Sequence, residues 1–387
     1  MQLQFKVYHT LEDLPATWDE TLDDENALHS SKISVTELAA IPDIKNYYVQ
    51  GFCPNNTLVF QAYAQQLQVH SGQFNLKGNK VKQWFIRTSI DIVKPKLLVA
   101  GNLFRHDVQM LYFHKRAIST LDRSRIVEQA IDYMMNYTKS QGVFIKDIPK
   151  RIAKYFLTKK EYQRMDNDIA MHLDIPESWK SFEDYQNELK RKYRNRAKST
   201  RKSFADVKIR TLSIDEIQSY KGEMHDLYKQ VTNNQVVSMG ELSEDFIAEL
   251  KKSLGAKYQV TGFFIEENTS EKMIAFSSAI IHDGVHDMNY IGFDYTINQK
   301  YSLYFNMLFH CVECAIANNC NKLFLGRTAL EAKAIVGCEP DYLYTFYKLK
   351  SRFINEIVKN ITRRFETRLG EGWENRHPFK AEYYERK

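Results

Sequence analysis

The chain has 387 residues, 54 Lys+Arg against 48 Asp+Glu, and a formal net charge of +6. Eight cations and no anion lie between Lys190 and Lys202, and without that segment the remainder stands at −2. A generally basic, sticky protein is excluded, while one local basic element aimed at an anionic partner is not. Apolar residues at 43%, aromatics at 13% and only 15 Gly and 8 Pro exclude disorder and collagen-like architecture. At about 150 residues per domain, the length predicts two or three domains.

Met1–Tyr8 alternates polar and apolar residues like a strand and lacks the cationic start and apolar run of a secretory leader. No stretch approaches the ~20 apolar residues of a membrane span. A soluble, cytoplasmic protein is the expectation. Five cysteines, an odd number, predict reduced thiols. Cys311 and Cys314 have CxxC spacing, but they sit in an apolar helical pattern without a second pair, so they predict core packing rather than metal or redox chemistry.

In chain order, Gln2–Tyr8, Tyr47–Phe52, Thr57–Val69, Val81–Thr88, Lys96–Ala100 and Val108–Phe113 predict strands, with a weaker helix at Ser34–Ala40. Asp122–Ser140 carries Ile126, Ala130, Ile131, Met134 and Tyr137 at helical spacing. A short strand at Val143–Asp147 and a helix from Ile152 follow. The second part repeats this plan. Strand Asp168–Leu173 precedes helix Ser181–Phe204, which holds the basic run. Strand Val207–Thr211 and helices Ile214–Val231 and Ser243–Leu254 come next. Strands Gln259–Glu266, Lys272–His282 and Asp287–Phe293 follow, with Asp283-Gly284 as a hairpin turn. Helix Tyr301–Asn318, strand Lys322–Gly326 and a helix from Thr328 that ends at Gly337 complete the pattern.

A helix, a polar stop and a short strand recur at Ala130–Asp147 and Ala315–Gly326. The order of elements predicts a tandem duplication of one α/β unit, joined near Pro176. Dinucleotide, P-loop, HExxH and GxSxG motifs are absent from the sequence. His282 and His286 straddle the hairpin turn and read as solvated. Transfer of an acyl group from an activated donor to an amine needs few side chains, and fits this profile.

Met288-Asn-Tyr-Ile-Gly-Phe-Asp294 leads into Ser302-Leu-Tyr-Phe-Asn306. Phe324-Leu-Gly-Arg-Thr328 follows, then Glu331, Lys333 and Gly337. This order resembles the FemAB-like branch of the GNAT acyltransferases, the peptidoglycan biosynthesis or recognition proteins. Asp166–Asp174 and the basic stretch Lys190–Lys202 carry the same resemblance. It implies an α/β (α+β) fold of tandem GNAT-like units, each a mixed, largely antiparallel sheet flanked by helices. The units expected are 1–175 and 176–387, the second carrying the active site. It also implies a bacterial cell-envelope N-acyltransferase and a cleft beside the central strands of that unit. Acetyl-CoA-dependent relatives carry a glycine loop for the pyrophosphate, whereas Asn298–Tyr304 has no glycine. Relatives that use tRNA carry a long helical hairpin, where this sequence shows one basic helix.

Within that frame Asp294 is the candidate base and Tyr304 the candidate acid. Tyr290, Asn306, Arg327, Glu331 and Lys333 are the candidate substrate-binding residues, Arg327 because its planar fork suits a carboxylate or phosphate. Backbone amides of Met288–Phe293 would stabilise the oxyanion. His310 reads as a satisfied core histidine. Lys192, Arg194, Arg196 and Arg201 form the face for an anionic donor. The expected donor is acyl-CoA or the phosphopantetheine of an acyl carrier protein, and the acceptor a small-molecule amine. Aminoacyl-tRNA is the rival donor, and a binding module without turnover is the rival to catalysis. Anionic lipid at the inner membrane face is a further expected contact of the basic helix.

Overall fold

The computed structural model describes residues 3–23, 28–30, 44–74, 80–103, 111–114, 118–165, 168–234, 242–267, 269–351 and 372–386. The chain divides into two units. The first comprises Met1–Asp166, Gln235–Glu249 and Leu343–Phe365; the second comprises Asn167–Asn234, Leu250–Tyr342 and Glu366–Lys387.

The first unit contains β1 (Gln4–Tyr8), β2 (Ile44–Phe52), β3 (Leu58–Gln68), β4 (Lys96–Ala100), β5 (Leu111–Phe113), β6 (Gly142–Ile145) and β7 (Gln163–Arg164). One more strand, β15 (Phe346–Leu349), enters it from late in the chain. The sheet order is β1-β2-β3-β4-β6-β15-β7, with β5 on β3. Its parallel pair, β4 with β6, is connected through helix Thr120–Tyr137. Ser119 Oγ caps that helix by accepting from Asp122 N–H at 3.1 Å. Ile126, Ala130, Ile131 and Met134 of its apolar face are buried in the core, as the spacing predicts, whereas Tyr137 at its end is 45% exposed.

The second unit contains β8 (Ile169–Asp174), β9 (Lys208–Thr211), β10 (Tyr258–Glu267), β11 (Ser270–His282), β12 (Val285–Phe293), β13 (Lys322–Gly326) and β14 (Glu339–Tyr342). The order is β14-β8-β13-β12-β11-β10-β9. Its parallel pair is β12 with β13, connected through helix Leu303–Ala317. The same arrangement, a parallel pair bridged by a core helix, occurs in both units, and it is the repeat seen in the element order. Asp283 and Gly284 both have positive φ (47° and 74°), the geometry of the favoured two-residue hairpin turn. The core packs Leu308, Phe309, Val312 and Ala315 of the helix against Met171 and Leu173 of β8 and Leu323 of β13.

Four expectations change. Val81–Thr88 is not a strand but part of helix Lys80–Val93. Ile86, Ile90 and Val93 already stand at i, i+4 and i+7, and β-branched content is the weaker signal. The basic helix is two helices, Phe182–Glu188 and Arg191–Lys202. Between them Leu189 bridges to Phe379, and Lys190 N–H donates to Pro378 O at 2.8 Å. That contact takes the backbone groups a continuous helix would use. Strand Asp168–Leu173, placed in the first unit by the expected join at 175/176, pairs in the second sheet as β8. Phe346–Leu349, placed in the second unit, pairs in the first sheet as β15. Such exchanges rest on long-range pairing, which leaves no local mark. Ser34–Ala40 lies outside the described residues.

Helix Leu330–Val336 stops at Gly337, which has φ 109°, as the sequence predicts. A Cβ there would stand 2.4 Å from the Phe379 ring. Gly337→Ala is expected to destabilise the protein by about 2–4 kcal/mol, from backbone strain plus overpacking. Urea denaturation of the variant against the parent measures it.

Candidate active site

β12 and β13 pair at Val285↔Lys322, His286↔Leu323 and Asp287↔Phe324, and there the ladder ends. β13 turns to follow β8, and after an irregularity Gly326 pairs with Met171. β12 continues from Met288 to Phe293 along β11. A parallel pair that parts leaves strand-edge backbone groups facing the gap.

Ser278 fixes the register of that edge. Its Oγ accepts from Tyr290 N–H at 2.9 Å and donates to Tyr290 O at 3.0 Å, across a bulge in the ladder. Asp294 N–H donates to Ile274 O at 2.9 Å, on the same side. Alternation along the strand therefore turns the N–H groups of Ile291 and Phe293 toward the gap. Helix Ile214–Thr232 presses on this stretch so closely that a Cβ on Gly292 would lie 2.6 Å from Tyr228 N.

The loop that leaves β13 is strained. Gly326 (φ 74°) and Ala329 (φ 54°) bracket Arg327 and Thr328. A left-handed alanine costs roughly 1–2 kcal/mol and persists only where its surroundings hold it. Arg327 Nε donates to Asp168 Oδ1 at 2.8 Å, and the Asp168 side chain is only 10% exposed. The guanidinium is thus oriented by a half-buried ion pair. Lys333 projects from the next helix, is 2% exposed, and its Nζ donates to Gly326 O at 3.2 Å. Burial lowers its pKa to about 7, with the nearby Cys338 thiol acting in the opposite sense. Burial also pushes that thiol up to about 12. Tyr304 is half-buried, and its ring lies 5.9 Å from Phe293. Burial raises its hydroxyl pKa, with Cys338 and Cys311 adding to the rise. Burial thus disfavours the charged forms of both the Tyr304 phenol and the Lys333 amine.

The other candidates divide. Tyr290 lies on the parted stretch of β12, its ring 6.1 Å from Tyr228. Asp294 Oδ1 accepts from both Thr296 N–H (2.9 Å) and Thr296 Oγ–H (2.6 Å), a turn-forming carboxylate. Asn306 is wholly buried, and its Nδ2 donates to Thr200 O and Tyr301 O, each at 2.9 Å. It ties the basic helix to the start of the core helix, with its amide hydrogens committed to those carbonyls. Glu331 is held by Arg376, whose Nε donates to it at 2.7 Å. On the basic helix, Arg201 pairs with Glu313 at 2.7 Å and Arg196 lies over the Phe305 ring at 4.5 Å. Lys192 is exposed and Arg194 half-buried. His286, expected to be solvated, is buried in β12, and burial lowers its pKa to about 4. Asp168, Ser278 and Cys338 were not singled out by sequence. Asp168 stands 159 positions from Arg327, and no spacing rule links them.

Among the described residues no group of three or more His, Cys, Asp or Glu is placed to hold a metal ion. Among the same residues no helix is long and apolar enough to cross a membrane.

Residues 96–381 match the model of the FemAB-like family, peptidoglycan biosynthesis/recognition. The chain belongs to that family. The FemAB-like resemblance read from Met288–Gly337 is thereby borne out. A crystal structure of FemX is similar over 94% of this chain and 100% of its own, with TM-score 0.51 and 8% identity. A tandem GNAT protein from the clavulanic acid biosynthesis pathway covers 90% of this chain and 99% of its own (TM-score 0.48, 10% identity). L-PGS from Bacillus licheniformis covers 85% and 91% (TM-score 0.45, 9% identity). No curated protein matches. With the two mainly antiparallel sheets described above, the FemAB-like chain is an α/β protein of two similar units.

Lys333 makes stability depend on pH. Its folded pKa is depressed below the unfolded lysine value of ~10.4. Between about pH 7 and that value the unfolded chain binds more protons, so stability rises with pH across that window. Below it, the full penalty of a buried charge remains. Lys333→Met is expected to stabilise by a few kcal/mol near pH 6, the gain shrinking toward pH 10. Urea denaturation at several pH values tests this.

Proposed function

We propose that this FemAB-like protein transfers an acyl group, in the form of an aminoacyl ester carried by tRNA, to an amine of a peptidoglycan precursor. The observation that carries the reading is the end of β12–β13 pairing at Asp287/Phe324, beside strained Gly326–Ala329 and buried Lys333. The acceptor amine attacks the ester carbonyl carbon. A C–N bond forms, the C–O bond to the carrier breaks, and the amine proton ends on the leaving oxygen. The N–H groups of Ile291 and Phe293 stabilise the oxyanion. Lys333, its pKa lowered by burial to about 7, takes the amine proton in its neutral form and returns it to the leaving group. Arg327, braced by Asp168, grips a carboxylate or phosphate of substrate.

The choice of tRNA over CoA rests on two features. The stretch where CoA relatives have a glycine loop is a four-residue helix, Asn298–Tyr301, closing on left-handed Ser302. Tyr304 N–H there is already taken by Asn298 Oδ1 at 3.1 Å. The basic helix supplies exposed cations for a polyanion, among them Lys192 and Lys198. Thioester-dependent N-acyl transfer is the second reading. The parting of β12 from β13 also accommodates it, because a gap between strand edges suits a pantetheine arm. Acyl carrier protein as donor and anionic lipid as a further contact of the basic helix belong to this second reading.

Labelled aminoacyl-tRNA and labelled acyl-CoA, each offered with an amine-bearing precursor peptide, separate the two. Label moving from tRNA alone supports the first reading, and from acyl-CoA alone the second. Binding without transfer from either supports a module that has lost turnover. Lys192→Glu with Arg194→Glu is expected to weaken tRNA use at least tenfold and to flatten its salt dependence. Lys333→Met is expected to lower kcat by about 10²–10⁴ with KM little changed. For the parent, kcat is expected to rise through about pH 7 as Lys333 loses its proton.

A further inference from the structure

A second group of reactive side chains lies further along the core helix Leu303–Ala317, and the proposed transfer does not use it. Cys314 Sγ and His310 Nε2 are 3.2 Å apart, one helical turn from each other. Glu313 Oε2 lies 3.6 Å from His310 Nδ1, the other ring nitrogen. Arg201, from the basic helix, holds that same carboxylate oxygen at 2.7 Å and rests on the Phe182 ring at 4.8 Å. The order thiol, imidazole, carboxylate, guanidinium is that of a nucleophile and its base, with an anion close to the ring that Arg201 holds in place. Of the five cysteines, Cys53, Cys311, Cys320 and Cys338 are buried, and Cys314 is half-exposed.

We propose that Cys314 is a reactive thiol activated by His310 and Glu313, and that it takes hydroperoxides as its co-reactant. The imidazole is built to hold a proton. Burial alone would lower its pKa, but the Cys314 thiol and the Glu313 carboxylate outweigh this and raise it to about 9. The groups facing it from other elements are Arg201, His286 of β12 and the Phe263 ring of β10, which stands edge-on at 5.6 Å. His286 is held neutral by burial, so it adds no competing charge near neutral pH.

In the reacting pair the thiol proton already sits on His310. The thiolate sulfur attacks one peroxide oxygen, an S–O bond forms and the O–O bond breaks. The departing oxygen takes the His310 proton and leaves as water or an alcohol. Sulfur is oxidised to the sulfenic acid and the peroxide is reduced.

The test uses the full chain at pH 7 with hydrogen peroxide and dimedone, and peptide mass spectrometry to locate the adduct. The expected result is an adduct on Cys314, formed at least about tenfold faster than on an unstructured cysteine peptide. His310→Gln is expected to bring the rate down to that of the peptide. A parent rate equal to the peptide's, or a rate unchanged by His310→Gln, overturns the proposal. Where that variant fails to fold, iodoacetamide labelling of the parent decides. Labelling of Cys314 that persists at pH 6 supports the thiolate–imidazolium pair. Labelling that falls off below about pH 8.5, as for a free thiol, refutes it.

Discussion

The second unit is organised by the point at which β12 and β13 stop pairing. Through Asp287 and Phe324 the two strands share a ladder. Beyond it β13 follows β8 while β12 stays with β11. Every later feature answers that divergence. The Ser278 bulge occupies Tyr290's backbone groups, so the opposite side of the edge faces the gap. The left-handed residues Gly326 and Ala329 turn the chain out of β13 within a few positions. Lys333 then comes back to hold the last carbonyl of the strand. The gap and the buried amine are two consequences of one topological fact.

Electrostatics follows from burial more than from charge count. Lys333 is among the most enclosed cations of the unit, and desolvation, not a partner, sets its state. Arg327 is handled differently, with Asp168 as a fixed anion beside it. The basic helix is neither wholly surface nor wholly ligand. Arg201 and Arg196 are committed to Glu313, Phe182 and Phe305 within the unit. Lys192 and Lys198 remain on the open face. Arg201 thus joins the basic helix to the His310 group, so the run of cations both braces the unit and presents charge.

Much of the fold was legible because its signals are local. The apolar spacing of Ile126–Met134, the Asp283-Gly284 turn and the stop at Gly337 each follow from neighbours a few positions apart. The family resemblance also rests on short stretches near β12 and β13, and those are the strands that part. Val81–Thr88 was misread because a β-branched, aromatic run satisfies both periods, and only packing selects between them. Among the site residues, Arg327 and Lys333 were legible as charges at a strand end. Asn306 was not legible as structural, because its three carbonyl and hydroxyl partners come from two other segments.

The amino-acid sequence alone determined the element order, the duplicated plan, the family and the concentration of charge at Lys190–Lys202. These depend on periodicity, turn chemistry and composition, which act over a few residues. Where β8 and β15 pair, where β12 leaves β13, and which charges are buried required the folded chain. Those outcomes join residues far apart in the chain, as with Asp287 and Phe324 or, 159 positions apart, Arg327 and Asp168. Burial and hydrogen-bond partners arise from such joins, and they gave a lysine noted for its charge a pKa lowered to about 7.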